Sequence, residues 1–455
     1  MSTGRAAISG IKICVISNYY PPLFIGGYEL GCKDVVEGLK ARGHQVKVLT
    51  STYNVAGPQD DGEVHRRLKV RGTSKSLRGL AAKLNKKNQD VFRQLYLRIA
   101  GWWTNSLGGL VVVLKQEIAN QRVFRRLCGE FNPDLIYVWN PAGISLSLVS
   151  VSQHLGLPVC YFISDPWLGE WERDPGYQIW QQCQTSFYRR PLSKGVLSLL
   201  SALNVLQRPA SPDLRNVQFA SEFLKRQTLT KGKPVSDAKV IHWGVDLQKF
   251  QYRETTKCLQ RLLFVGQIVP SKGVHTAIEA LKLLRQAGYE SATLTIAGGS
   301  IFPEYETQIR QLISSSQLDE HVRFTGLLPR EQLVSIYQQH DVLVFPSIWD
   351  EPFSITVLEA MASGLAVVGT PTGGSSEILL DGVNALVFQK EDAEACATHI
   401  SRLFTDERFF EEIRRHGRLA VEQKYRLEQM VDSLENSLVE AVSASRDRDF
   451  KRVLS

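Results

Sequence analysis

Apolar residues along this chain gather in short runs bounded by turn residues, and between the runs they recur with a helical period. Ile11–Ser17, Gln45–Thr50, Pro133–Trp139 and Val159–Ile163 are rich in β-branched and aromatic side chains and predict strands. A helix is predicted from the residues after Gly26-Gly27 to about Arg42, where Gly43-His44 ends it. Apolar positions 107, 110, 111, 114, 118, 124 and 127 predict another, with two more over about Ile144–Leu155 and from Glu222 behind the capping residue Ser221. Leu203–Leu206 and Asn216–Ala220 read as further short strands, and Val240–Asp246 closes this half. Polar residues 251–260 form a linker, and the alternation then restarts. Strands are predicted at Arg261–Gly266, Ala292–Ala297, 321–325, Asp341–Phe345 and Ala366–Thr370, the last followed by a short helix, Asp381-Gly382 and Ala385–Phe388. Helices lie between them at 274–287, 304–315 and 330–339, and the last third is helical, with an amphipathic segment near 425–442. This order predicts an α/β protein of two doubly wound domains, 1–250 and 251–424, with a ligand between them.

The chemistry concentrates between Asp341 and Gly364. The strand run ends at Pro346, and Ser354 is placed to cap a helix from about Ile355 to Ser363 that Gly364 stops. Such a helix start presents N–H groups and partial positive charge, a setting for phosphate. Glu351 and Glu359 bracket it. Carboxylates repel phosphate but accept from sugar hydroxyls, so the pattern predicts a ligand with phosphate in the middle and hydroxyls at both ends. Lys272 brings an ammonium to a second helix start, and Gly373-Gly374 allows a second close backbone approach. In the first half, Gly26-Gly27 offers the same approach, although two glycines before a helix also make a plain turn. Asp165 lies at a strand's carboxyl end, where open sheets bind ligands, and reads as a hydroxyl contact or as a strand-end cap.

Composition narrows the class. A chain of 455 residues with 43% apolar and 22% charged residues fits a globular protein of two or three domains. Seven scattered cysteines without a CxxC pair predict neither a disulfide framework nor a zinc site. The histidines show no metal-like spacing, His44 and His242 read as structural, and Asp447 and Asp449 imitate a metal-binding pair by chance. No signal-peptide pattern and no apolar window of about 18 residues occurs, which predicts a cytosolic protein, or one that touches the inner face of a membrane. The net charge of +8 is uneven: between His65 and Arg98 there are eleven Lys/Arg and one acid, Asp90. Such a run suits anionic lipid or nucleic acid. With Trp102-Trp103 beside it, the reading is an anionic membrane surface met through 65–103, with no nucleic acid. A solvated basic surface and core packing of the tryptophans are the plain alternatives.

The residues around the two glutamates resemble a known signature. Glu351 and Glu359, eight positions apart within Pro346-Ser347, Glu351-Pro352-Phe353 and Leu358-Glu359-Ala360-Met361-Ala362-x-Gly364, look like the motif of glycosyltransferase family 4. Supporting matches run in family order: Gly26-Gly27-x-Glu29, Ser221-x-Phe223-Leu224-Lys225, Gly244-Val245-Asp246, Val265-Gly266, Lys272-Gly273, Ala297-Gly298-Gly299, Phe324-x-Gly326 and Gly373-Gly374-x2-Glu377. The resemblance implies a GT-B fold, two Rossmann-like domains facing across a cleft, with a final helix at about 425–445 crossing back to the N-terminal domain. It implies retaining transfer of a hexosyl group from a nucleotide sugar, UDP by default and GDP as the other choice, to a glycan or lipid-linked acceptor. No cofactor and no metal is expected; the nucleotide sugar is a co-substrate. By position, Glu359 would hold the ribose hydroxyls and Glu351 would face the donor sugar. Phe353, Ser354 and Ile355 would supply backbone contacts, Lys272 would bind the diphosphate, and Leu327 and Leu328 would line the base pocket. Gly26 and Gly27 would approach the diphosphate from the other domain. Glu351, Lys272 and Asp165 are the candidate catalytic residues.

Two positions depart from the family. Gln267 stands where an arginine is common, and Ser164 precedes Asp165 where a histidine is common. They motivate a rival reading, a catalytically weak or inactive sugar-nucleotide-binding scaffold subunit, against which intact Lys272, Glu351 and Glu359 stand. A dinucleotide oxidoreductase lacks support, because no GxGxxG opens the first βα turn. Gln267 can still donate a hydrogen bond to phosphate, but a neutral one contributes about 1 kcal/mol against roughly 1.5–3 for a charged one. Gln267→Arg is therefore expected to tighten nucleotide-sugar binding roughly fivefold, measured by calorimetric titration. Unchanged affinity would mean that position 267 does not meet the diphosphate.

Overall fold

A computed structural model of the chain describes residues 10–23, 26–53, 58–70, 107–174, 177–178, 195, 198–208, 210–254, 258–300 and 302–454. Most of the basic run, beyond Val70, and Trp102-Trp103 lie outside the described residues. The chain forms two compact units. One comprises Met1–Gln218, Gln227–Lys239 and Leu434–Ser455; the other comprises Phe219–Arg226 and Val240–Ser433. The chain passes from one unit to the other after Gln218, Arg226, Lys239 and Ser433. Segments before 250 join the second unit because they bond into it: Ser221 Oγ donates to the Pro352 carbonyl at 2.6 Å, and Val245 pairs with Arg426 in a parallel bridge. The end of the chain joins the first unit through Glu435, which meets His44 Nε2 at 2.9 Å, and Arg446, which donates to Asp134 at 2.8 Å.

The first unit is built on β1 (Lys12–Ser17), α1 (Gly27–Ala41), β2 (Gln45–Ser51), β3 (Gln59–Asp60), β4 (Val64–Leu68), α2 (Leu107–Phe131), β5 (Leu135–Asn140), α3 (Ser147–His154), β6 (Val159–Ile163), β7 (Val217–Phe219), α4 (Glu222–Thr230, which passes between the units in sequence) and β8 (Lys239–Val240). The sheet order is β3-β4-β2-β1-β5-β6-β7-β8. β1 pairs in parallel with both β2 and β5, so the strand order reverses there. Two expectations are corrected. Leu203–Leu206 is not a strand: Leu203 N–H donates to Leu199 O at 2.9 Å, and Asn204, at φ 57°, ends a helix whose apolar tail is Leu206, packed with Val113. β4 lies inside the stretch read as a basic surface, and its His65 and Arg66 are buried; the Arg66 guanidinium donates to the carbonyls of Tyr20 and Pro21.

The second unit contains β9 (Arg261–Val265), α5 (Val274–Gln286), β10 (Thr293–Ala297), α6 (Pro303–Ser315), β11 (Val322–Gly326), α7 (Arg330–Gln339), β12 (Val342–Phe345), α8 (Ile355–Ser363), β13 (Ala366–Gly369), β14 (Leu386–Val387), α9 (Ala393–Thr405) and α10 (Glu407–Lys424); α11 (Leu427–Leu454) follows. Its order is β11-β10-β9-β12-β13-β14 with every pair parallel, and it reverses between β9 and β12. Parallel strands covered on both faces read as continuous apolar runs, and β12 and β13 are buried throughout. The start of β12 is fixed by Asp341, fully buried, whose carboxylate accepts from Arg253 at 2.7 Å and Arg261 at 3.0 Å. Burial alone would raise its pKa, but the hydrogen bonds from both guanidiniums and the Arg261 amide hold it below the usual range. Two such sheets, the first carrying an antiparallel edge pair, β3–β4, give the chain the α/β class. Among the described residues no helix is long and apolar enough to cross a membrane.

Candidate active site

The loops that leave β9 and β12 flank the point where the second sheet reverses, the place where open α/β sheets bind ligands. The first carries Gln267 and a short 3-10 turn, Pro270–Lys272, before α5. The second carries Glu351 and ends at α8. As expected, Ser354 caps α8, its hydroxyl accepting the Val357 N–H at 3.4 Å, and Gly364 closes the helix at φ 83°. The two loops are laced together: the Ile348 and Trp349 amides donate to Ser271 O at 2.9 and 3.0 Å. The contact is close because Gly273 has no side chain. A Cβ there would lie 2.0 Å from Pro346 O, and its φ of 69° is left-handed. The far side of the second loop is gripped in the same way. Gly374 N–H donates to Glu351 O at 2.6 Å, and a Cβ on Gly374 would lie 2.1 Å from Pro352 O.

Within this clamp the Glu351 carboxylate is turned inward, its side chain only 8% exposed, and one oxygen accepts from Lys272 Nζ and Ser347 Oγ, each at 2.6 Å. The residue expected on a diphosphate and the residue expected on a sugar thus form an ion pair. Lys272 keeps 30% of its side-chain exposure, so its ammonium can turn to an incoming anion. Gln267 is half-buried in the same loop. Ser347 stands in the signature but carried no expected role, because its bond to Glu351 follows from the turn of the loop. Glu359, at the middle of α8, is buried. Tyr337 Oη donates to its Oε2 at 3.1 Å, and Arg330 Nη2 lies 3.7 Å from its Oε1. Leu327, 70% exposed, and Leu328 follow β11 immediately before Arg330. Phe353 stacks on His242, ring centroids 5.3 Å apart, and His242 Nε2 meets Glu377 at 2.9 Å. The Glu377 carboxylate also caps α4 through the amides of Phe223 and Glu222. Burial raises its pKa, but the bonds from His242 and these amides keep it below the usual range.

The first unit has its own polar cluster at the carboxyl edge of β1, β5 and β6. Gly26 precedes α1 with its N–H on Glu29 Oε2 at 3.1 Å, and Tyr28 donates to Asn18. Asp165 does cap the turn that follows β6, accepting the Trp167 N–H at 3.1 Å, and Asn140 donates to its other oxygen. Burial lifts the Asp165 carboxyl to about 6 against the lowering effect of these two bonds. A chain of hydrogen bonds links Tyr28 to Asp165: Asn18, which accepts from Tyr28, donates to Ala142 O, and Asn140, which accepts from the Ala142 amide, donates to Asp165. Gly26, Gly27 and Asp165 therefore share one edge.

Clustered donor-type residues at the reversal point of one α/β sheet, and a second sheet of the same build, are matched by known families. A model of glycosyl transferases group 1 matches residues 249–420, and a model of the glycosyl transferase 4-like domain matches 26–203. The chain belongs to the group 1 glycosyltransferases. An uncharacterized glycosyltransferase of Methanocaldococcus jannaschii is 24% identical over 441 residues, covering 91% of this chain and 94% of that protein. Sucrose-phosphate synthase from Thermosynechococcus elongatus has the same fold, with a TM-score of 0.65 at 18% identity, covering 95% of this chain and 100% of that one. So does Anabaena HepE, solved in complex with UDP and glucose, at TM-score 0.60 and 18% identity, covering 94% and 100%. This glycosyltransferase accordingly has the GT-B fold.

The glycine clamp sets a direct expectation. Gly374→Ala must displace the Glu351–Pro352 backbone, and it should lower stability by about 1–3 kcal/mol. Thermal unfolding with and without UDP would show a reduced melting temperature and a smaller nucleotide-induced shift. A variant with an unaltered shift would separate the clamp from ligand binding.

Proposed function

We propose that this glycosyltransferase moves a hexosyl group from a nucleoside-diphosphate sugar, UDP by default and GDP as the alternative, to a glycan or lipid-linked acceptor in polysaccharide or glycoconjugate synthesis, with retention and without a metal. The observation that carries the reading is the meeting of Lys272, Glu351 and two helix starts at the β9/β12 reversal of the second sheet. Cleavage of the sugar–phosphate bond leaves charge on the β-phosphate. Lys272, the α8 start at Phe353, Ser354 and Ile355, and the α5 start supply positive potential there, with Gln267 as a neutral donor. One preorganised donor of this kind contributes on the order of 3–4 kcal/mol. The bond from the anomeric carbon to the phosphate oxygen breaks, the acceptor oxygen bonds to the same face of that carbon, and its proton passes to the leaving β-phosphate. No protein nucleophile is needed. Glu351 takes sugar hydroxyls, Glu359 takes the ribose hydroxyls, and Leu327 and Leu328 lie along the base.

On the first unit, Asp165 takes a hydroxyl of the acceptor, and Gly26 and Gly27 give a ligand close access to backbone. A location at the inner face of a membrane rests on the basic residues between 65 and 103, most of them outside the described part of the chain. The UDP preference is supported by the UDP and glucose bound to HepE.

Purified protein is expected to hydrolyse its donor slowly, and Glu351→Ala to abolish this by a factor of at least about 10². The donor is found by thermal shift over a panel of nucleotide sugars, because a ligand that binds only the folded state raises the melting temperature. A protein that binds a nucleotide sugar but never cleaves it is a scaffold instead.

A further inference from the structure

We propose that Tyr337 and Arg330 are positioning residues for Glu359: from α7 they hold its carboxylate against the ribose of the nucleotide, and so set the preference for ribonucleotide over 2′-deoxyribonucleotide donors. The inference rests on the proposed donor site and names a specificity element within it.

Glu359 projects from the middle of α8, where it is buried among apolar neighbours. A carboxylate in such a place costs free energy unless it is hydrogen-bonded and charge-compensated. Both kinds of support come from the neighbouring helix. Tyr337, itself fully buried, donates its hydroxyl to Oε2 at 3.1 Å, and the guanidinium of Arg330 lies within ion-pair distance of Oε1 at 3.7 Å. Burial raises the Tyr337 phenol far above its ordinary pKa, with the Glu359 charge the next cause. The phenol therefore stays protonated and remains a donor. Its ring is held edge-on to Phe250, centroids 5.9 Å apart, so the hydroxyl has little freedom to turn away. Arg330 is the first residue of α7, three positions after exposed Leu327. It stands where the segment assigned to the base meets the residue assigned to the ribose.

A phenol on one oxygen and a guanidinium near the other constrain the plane of the carboxylate. A carboxylate has about four acceptor positions, which lets it accept hydroxyls of a vicinal diol alongside protein donors. A ligand lacking the 2′-hydroxyl gives up one such bond at a buried acceptor, and this is the kind of loss that makes polar sites discriminate strongly. Loss of Tyr337 or Arg330 removes part of the constraint, and the two nucleotides draw closer in affinity.

The test is calorimetric titration of the full chain with UDP and 2′-deoxy-UDP, and with the GDP pair if thermal shift selects guanosine. Wild type should prefer the ribonucleotide. Tyr337→Phe keeps the ring and should lower that preference by about five- to tenfold, chiefly through weaker ribonucleotide binding. Arg330→Gln should act in the same direction, and Arg330→Lys should recover part of the preference. An equal loss for both nucleotides, or a fall in melting temperature with the preference intact, would show a purely structural role and overturn the proposal. If wild type bound neither nucleotide pair, the donor-site reading itself would fall, a result distinct from an unaltered preference in the variants.

Discussion

The loop from Pro346 to Ser354 is pinned on both sides by backbone, and the rest of the donor-type edge depends on that. Gly273 lets one strand-to-helix connection press against Pro346, while Gly374 lets another press against Glu351 and Pro352. Ser221 closes the grip by donating to the Pro352 carbonyl. Once the peptide is held at these points, Glu351 has one inward direction available, toward Ser347 and Lys272. α8 begins where the loop ends, so its unpaired N–H groups share the same opening. The parallel sheet beneath makes the grip possible, because strands buried on both faces hold their carboxyl ends at fixed spacing.

The Lys272–Glu351 pair then has a physical meaning. An ammonium and a carboxylate facing a partly closed site satisfy one another when no ligand is present. In the proposed donor complex a diphosphate would replace Glu351 as the partner of Lys272, and a sugar hydroxyl would donate to Glu351 in exchange. The bond between them keeps both groups in place until then. With Gln267 neutral, Lys272 carries the side-chain charge of its loop, and the helix starts carry a larger share than they would beside an arginine. Glu359 is supported differently, by a neighbouring helix instead of a ligand-facing cation.

Much of this was legible in the sequence. α7 and α8 match their expected bounds, and for α8 the reason is legible capping chemistry, Ser354 at one end and Gly364 at the other. The glutamates, Lys272 and the glycines were found by position in a motif. Their partners were not: Ser347, Tyr337, Arg330 and His242 acquire roles only when loops and helices remote in sequence are brought together. Leu203–Leu206 misled because four apolar residues suit a strand and a helix end alike, and Asn204 in the left-handed region decides between them. β4 was hidden by its charge, since His65 and Arg66 read as solvated while the fold buries both, Arg66 on the carbonyls of Tyr20 and Pro21 and His65 on the Asp60 carboxylate. The group 1 glycosyltransferase assignment rests on the motif order and the two family models, and the finer chemistry follows from how the clamp aims its side chains.

Amide hydrogen exchange of the full chain, with and without saturating UDP, tests the placement of the diphosphate most directly. The account predicts slowed exchange in peptides covering Ser271–His275 and Phe353–Val357, where the amides at the starts of α5 and α8 would meet phosphate oxygens. Binding of UDP that leaves both segments unprotected would contradict it.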